Sequence, residues 1–153
     1  MPYNVRIHWR RNLWEVFTDN KYSRVHTWTF DGGTVIEASS SPHVVPLPMS
    51  KESAVDPEEA FIASLSGCHM LWFLSIAAGK KFIIESYEDN AVGILEKNAE
   101  GKLAMTEVTL NVQVIFSGGT LPSQTQLDEL HQLAHGKCYI ANSVKTKIKI
   151  VQI

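Results

Sequence analysis

Cys68 and Cys138 are the two thiols of this chain, and they stand 70 positions apart. Cys68 lies in DPEEAFIASLSGCHMLWFLSIAAG, residues 56–79, where no Asp, Glu, Lys or Arg occurs after Glu59. Cys138 lies in KCYIANSVK, residues 137–145. The thiolate is the nucleophile in cysteine chemistry, and a purely apolar site raises the thiol pKa and leaves the sulfur inert. To react, Cys68 needs a cation or a helix N-terminus beside it. It also needs a second thiol if its oxidised form is to be resolved before over-oxidation. Cys138 is the one candidate for that task. Their separation is not a C-x-x-C motif, so the thioredoxin-type signature is absent, and each cysteine taken singly reads as buried and inert.

Other residues invite chemistry less strongly. His131 and His135 have the i, i+4 spacing of zinc ligands, but no third ligand accompanies them except Cys138, so a surface pair is expected and no metal site. His69 follows Cys68 directly and points elsewhere on a helix, which suits a core or interface residue better than a Cys–His base. Arg24, beside a turn rich in Asp19, Asn20 and Ser23, reads by itself as a solvated charge. Tyr22 and His26 are pocket candidates or plain strand residues. Phe61, Trp72 and Phe73 are core at helical spacing, some of them available as an apolar wall.

The element around Cys68 must be a helix. Asp56 fits the N-cap, Pro57 the first helical position, and Glu59 the capping-box position. A helix apolar nearly all round is buried in a core or in lipid. Its serines, Gly67 and His69, with no basic flank at the N-terminal end, favour a soluble core helix over a membrane span. Gly79 reads as its terminator, with Lys80 and Lys81 suiting a helix C-terminus.

The remaining chain supplies strands. Val5–Trp9 and Leu13–Phe17 read as a pair turning at Arg10–Asn12. A strand over Val25–Phe30 turns at Asp31–Gly33 and returns over Thr34–Glu37. Ser39–Val55, with Pro42, Pro46 and Pro48, reads as an extended surface connection. Ile83–Lys97 and the alternating Val108–Phe116 form a hairpin through Asn98–Gly101. A second helix starts near Ser123, with Gln126 as capping-box partner and Leu127, Leu130 and Ala134 on one face, and closes at Gly136. A short helical turn follows in KCYIANSVK, and Lys147–Ile153 closes the chain as a strand. This order predicts an α+β fold with an antiparallel sheet wrapped around a long buried central helix.

Composition fits one domain over residues 1–153. The chain is 44% hydrophobic with a net charge of −2, which gives no basic stripe and no argument for a nucleic-acid partner. No secretory signal is visible in MPYNVRIHW, so the expected compartment is cytoplasmic, without membrane attachment.

The residues now carry a resemblance. Asp56–His69, D-P-E-E-A-F-I-A-S-L-S-G-C-H, is similar to the motif of the OsmC/Ohr family, the osmotically inducible and organic hydroperoxide resistance proteins. There a proline–glutamate pair opens the central helix and the peroxidatic cysteine follows ten residues after that glutamate, which from Glu58 lands on Cys68. Ala134–Ser143, A-H-G-K-C-Y-I-A-N-S, resembles the second cysteine motif, with Asn142 after the thiol. Tyr22–His26, Y-S-R-V-H, occupies the place of the catalytic arginine loop. Two departures are visible: the glycine-rich loop of the Ohr branch is missing, and Tyr139 stands where that branch has proline.

The resemblance implies an OsmC-like, intertwined homodimer acting as a thiol-dependent peroxidase on organic hydroperoxides, hydrogen peroxide included as a possible substrate class. It implies Cys68 as the attacking thiolate, Cys138 as the resolving thiol, Arg24 as the stabilising cation and Glu58 as its anchor. A dithiol reductant, lipoyl-type or thioredoxin-like, would recycle the disulfide, and no cofactor is implied. A guanidinium can serve thiolate, peroxide oxygen and carboxylate together, and can stabilise the expelled alkoxide. Glu58 and Cys68 are roughly 15 Å apart along one helix axis. Either Arg24 spans that gap or Glu58 serves a second chain, which suits a C2 dimer packed through the small residues around Cys68. A non-catalytic dimeric binding protein, or a metal-binding protein of the same fold, is the alternative.

Overall fold

The computed structural model describes residues 1–153. Two compact units divide the chain, Met1–Ala60 and Phe61–Ile153.

In the first unit, β1 (Val5–His8), β2 (His26–Phe30) and β3 (Val35–Ala38) form an antiparallel sheet in the order β1-β2-β3. The β2–β3 hairpin turns where expected, with Gly33 N–H donating to Phe30 O at 2.9 Å and Gly33 at φ +89°. That left-handed conformation is what glycine supplies cheaply. The expected partner of β1 is different: β1 pairs with β2, and Leu13–Phe17 is not a strand. Local bonds win there. The Glu15 carboxylate accepts from Asn12 N, Asn12 Nδ2 and Ser23 N, while Arg11 reaches the carbonyls of Asn12, Leu13 and Glu15. Phe17, at φ +71°, closes the loop.

Ser39–Val55 is a chain of turns, not an extended strap. Val44 N–H donates to Ser41 O at 3.0 Å, Met49 N–H to Pro46 O at 3.2 Å, and Lys51 N–H to Ser39 Oγ at 3.0 Å. Serine side chains capture the donors that proline-rich backbone leaves free. The segment ends on β3, where Ser39 N–H donates to Val55 O and Val55 N–H to Glu37 O. Asp56 follows as the cap of α1 (Pro57–Gly79), with Glu59 N–H donating to Asp56 Oδ1 at 2.8 Å and Asp56 N–H to Glu59 Oε2 at 3.2 Å.

Helix α1 ends differently from expectation. Gly79 is helical, and the left-handed residue is Lys81 at φ +67°. Lys81 N–H donates to Ala78 O and Phe82 N–H to Ala77 O, each at 3.0 Å. This is a Schellman closure with a lysine in the position glycine usually takes, and buried Phe82 packs with Ala77 beneath it.

The second unit carries β4 (Ile83–Asp89), β5 (Val92–Lys97), β6 (Leu103–Ser117), α2 (Gln124–Lys137), a 3-10 turn at Ala141–Ser143 and β7 (Lys147–Gln152). Strands β4 and β5 are one expected strand interrupted at Asn90–Ala91. Their register on β6 descends from Ile83 opposite Ser117 to Lys97 opposite Leu103. Strand β7 shares Val112 with Asp89 and Thr109 with Val92 as partners, so it takes the other edge of β6. It runs parallel to β6, which makes the sheet mixed. The segment between them contains α2, the crossover that a parallel pair requires.

Four residues of α1, Leu65, His69, Phe73 and Ala77, are buried at i, i+4 spacing. Leu65 packs on Val108, Leu110 and Val112 of β6, while Phe73 and Ala77 pack with Phe82, Leu130 and Ala134. The chain by itself covers one stripe of this helix. Ala63, Ser64, Leu71, Ser75 and Ala78 are exposed, so the all-round burial expected from composition is not met within one chain.

Candidate functional site

The 3.6-residue period that buries Leu65, His69, Phe73 and Ala77 turns the preceding residues of each turn toward a neighbouring face. Ser64, Cys68, Leu71, Trp72 and Ser75 line a cleft of about 560 Å³, closed by Tyr139 and Ile140. Its walls are largely apolar, with the Trp72 and Tyr139 rings edge to face at 5.6 Å. Cys68 is half-buried and opens into it.

Cys138 sits behind Cys68 at 1% exposure. Helix α2 delivers it. Ser123 and Gln126 form the capping box at the start of α2, and Cys138 is its C-cap, with N–H donating to His135 O at 3.3 Å. The turn after it is braced by Asn142, whose backbone N–H donates to Cys138 O at 3.0 Å and whose Nδ2 donates to Gly136 O at 3.2 Å. Asn142 therefore shapes the turn that carries Cys138.

Both cysteines are free thiols, and they stand close enough for Cys68 to act on the ionisation of Cys138. Burial, and then the neighbouring Cys68 thiol, push the Cys138 thiol up to about 11. The Ala141 N–H, 3.4 Å from Cys138 Sγ, works in the opposite direction and loses to burial. The pair thus has one sulfur accessible from the cleft and one held back as a protonated thiol.

His69 is the core residue the sequence suggests, whereas His131 corrects the sequence reading. His131 is not a surface residue: His69 at 2% and His131 at 4% exposure are both core residues. His69 Nε2 lies 3.0 Å from His131 Nδ1, and the rings stack with an interplanar angle of 8°. Burial is the first cause that lowers both imidazoles to about 4. His131 Nε2 has no hydrogen-bond partner. No group of three His, Cys, Asp or Glu side chains converges as a metal cage.

Four further candidates belong to the first unit. Arg24 donates from Nη1 to Tyr22 O and from Nη2 to Asn20 O at 3.1 Å and Asn20 Oδ1 at 2.9 Å. Its guanidinium carbon lies 3.6 Å over the Tyr22 ring. His26 is fully engaged: Trp28 Nε1–H donates to Nε2 at 2.8 Å, so Nδ1–H donates to Arg24 O at 2.7 Å. Tyr22, Arg24 and His26 line one pocket of about 450 Å³ with Ile7, Trp9 and Phe17. Arg24 and Glu58 make no ion pair with each other, and the buried Glu58 Oε2 has no partner.

Sequence reasoning missed the cleft residues Ser64, Leu71, Ser75 and Ile140. The signal was present: steps of four, three, one and three residues from Ser64 to Ser75 trace one helical face.

The profile of the OsmC-like protein family matches residues 50–152. No curated protein matches the sequence. Among solved structures, an OsmC-like protein of unknown function from Vibrio cholerae O1 biovar eltor is 56% identical, with a TM-score of 0.98 over 100% of this chain and 99% of that one. An OsmC-like protein from Mycoplasma pneumoniae is 16% identical, with a TM-score of 0.71 over 100% and 96%. The organic hydroperoxide resistance protein OhrB of Bacillus subtilis is 17% identical, with a TM-score of 0.70 over 100% and 98%. Those last two share the fold. On the family profile and the 56% identity, the chain belongs to the OsmC-like family.

Proposed function

We propose that the protein is a cysteine-based peroxidase that reduces organic hydroperoxides to alcohols. The observation that carries this reading is the half-buried Cys68, open to an apolar cleft and neighboured by a buried second thiol. The cleft admits an apolar alkyl group, and the hydroperoxide end meets the only sulfur in it.

In the reaction the Cys68 thiolate attacks the terminal peroxide oxygen, the O–O bond breaks, and an alkoxide leaves and takes up a proton. Cys68 becomes a sulfenic acid. Cys138 then attacks that sulfur, the S–S bond forms, and the hydroxide leaves as water with the proton Cys138 gives up. A dithiol returns both sulfurs to thiols. Arg24 is assigned the cation that favours thiolate and departing alkoxide, and Glu58 the carboxylate that holds Arg24. Arg24 is bonded to neutral groups, and Glu58 has a bare carboxylate oxygen. Both are therefore available for that pairing, within one chain or between two.

A homodimer belongs to the proposal. Leu71, 65% exposed on an otherwise apolar helix, and Trp14, 81% exposed, are surfaces that a second copy would cover. The decisive experiment is thiol titration before and after cumene hydroperoxide. The expected result is loss of two thiols to a reducible intrachain disulfide. Unchanged thiols would reject the enzyme reading and leave a binding protein; protection by zinc, reversed by a chelator, would favour a metal site. Glu58→Ala and Cys68→Ala chains, inactive alone, should regain partial activity when mixed, and an active monomer would exclude the shared site.

A further inference from the structure

The His69–His131 contact is the one fully buried bond between side chains in the structure. An apolar pair of similar size would fill this part of the core without the cost of burying polar nitrogens. Its location explains why a polar pair stands there. His69 is the residue after Cys68 on α1, and His131 is seven positions before Cys138 on α2. The apolar contacts between these helices, Phe73 and Ala77 against Leu130 and Ala134, tolerate sliding, whereas a bond between two ring nitrogens does not. The Lys80–Glu129 ion pair at 3.2 Å, which also reaches α2 from the end of α1, is exposed, and the bonds of Gln124 and Asp128 to Gln152 tie α2 to β7 and not to α1.

We infer that His69 and His131 are positioning residues that hold α2 in register on α1, so that Cys138 stands where it can close on an oxidised Cys68. The inference rests on the peroxidase reading and assigns the pair to the second step. Peroxide attack involves Cys68 and the cleft, which the pair does not line. Disulfide closure involves two sulfurs on two helices, and the angle and distance of an S–S bond leave little tolerance.

Ring geometry sets the test. His69 uses Nε2, a position that a glutamine amide reproduces, and His131 uses Nδ1, a position that an asparagine amide reproduces. The probe is 5,5′-dithiobis(2-nitrobenzoate) on the reduced, full-length protein, which needs no peroxide. A first thionitrobenzoate leaves as Cys68 forms a mixed disulfide. A second leaves as Cys138 attacks the Cys68 sulfur and the protein disulfide forms.

The second phase should slow by about tenfold or more in His69→Leu and His131→Leu, with the first phase within about twofold of wild type. His69→Gln and His131→Asn should restore the second phase, and His69→Asn and His131→Gln, with the same amides misplaced, should not. The amide swaps keep the test open if a leucine variant fails to fold. An unchanged second phase in the leucine variants, equal slowing of both phases, no second phase in the wild type, or equal rescue by all four amides would each overturn the assignment. Failure of the peroxidase reading appears separately, as a normal two-phase reaction with the aromatic disulfide in a protein that cumene hydroperoxide leaves untouched.

Discussion

Cys138 neighbours Cys68, yet only Cys68 reaches the cleft. That asymmetry divides the labour between two chemically identical groups. Cys68→Ser should abolish peroxide turnover. Cys138→Ser should leave one fast oxidation, then stop, with the trapped sulfenic acid passing to sulfinic acid at higher peroxide. Mass spectrometry after one equivalent of tert-butyl hydroperoxide checks this: a gain of one oxygen in the serine variant, and a loss of two hydrogens in the wild type.

The same asymmetry predicts how the second step responds to pH. With the Cys138 thiol held at about 11, its thiolate is a minor species at neutral pH. A raised thiol pKa means that the nucleophilic form grows as pH rises, by about tenfold per unit below that value. Disulfide closure should therefore accelerate steadily from pH 7 to pH 9.5 with a log slope near +1. Stopped-flow fluorescence from Trp72, which lines the cleft, is the measurement. A flat profile would mean that Cys138 is deprotonated by a neighbour before it attacks.

These elements were legible to different degrees, for physical reasons. Both capping boxes, Asp56 with Glu59 and Ser123 with Gln126, are local and were readable from three-residue spacing. The hairpin over Ile83–Phe116 was readable because Asn98 and Gly101 mark its turn. Leu13–Phe17 was misread because its alternation looks like a strand, while one carboxylate, Glu15, ties up the surrounding donors. The parallel direction of β7 depends on where α2 returns the chain, which no local pattern encodes. His131 was misread for a related reason: its partner, His69, is 62 positions away. The cysteine pair was legible through motif resemblance and not through spacing.

The cleft wall should govern discrimination among peroxides. Trp72 is the largest side chain that lines it and stands edge-on to Tyr139. Trp72→Ala removes a contact worth about 1–3 kcal/mol to a bulky substrate. The expected outcome is a roughly 5- to 150-fold lower kcat/KM for cumene hydroperoxide. Hydrogen peroxide, which has no alkyl group to bury, should change by less than about threefold. Parallel steady-state assays with the two peroxides test it, and equal losses would place Trp72 in the structure of the site and not in recognition.

Lys81 offers a stability prediction that leaves the chemistry alone. It occupies φ +67° at the Schellman closure of α1, a conformation that costs a side-chain-bearing residue about 1 kcal/mol relative to glycine. Lys81→Gly relieves that strain but adds freedom to the unfolded chain. The net should be a gain of about 0.5 kcal/mol, read as an upward Tm shift of roughly 1–2 °C with unchanged thiol reactivity.

Acid should find the histidine pair before it finds the rest of the core. Both imidazoles are held near 4 in the folded protein, against about 6.5 in an unfolded chain. For His69 the causes after burial are the neighbouring His131 and His135; for His131 a single opposing influence, Asp128, raises it and is outweighed. Between pH 6.5 and pH 4 the unfolded chain binds protons that the folded protein refuses, so stability is complete above pH 6.5 and falls as pH drops through that window. The Tm should decline by on the order of 5–10 °C from pH 7 to pH 4.5. In His69→Leu/His131→Leu the decline should be smaller, because two of the groups responsible are gone. A double variant as acid-sensitive as the wild type would move the cause to the carboxylates.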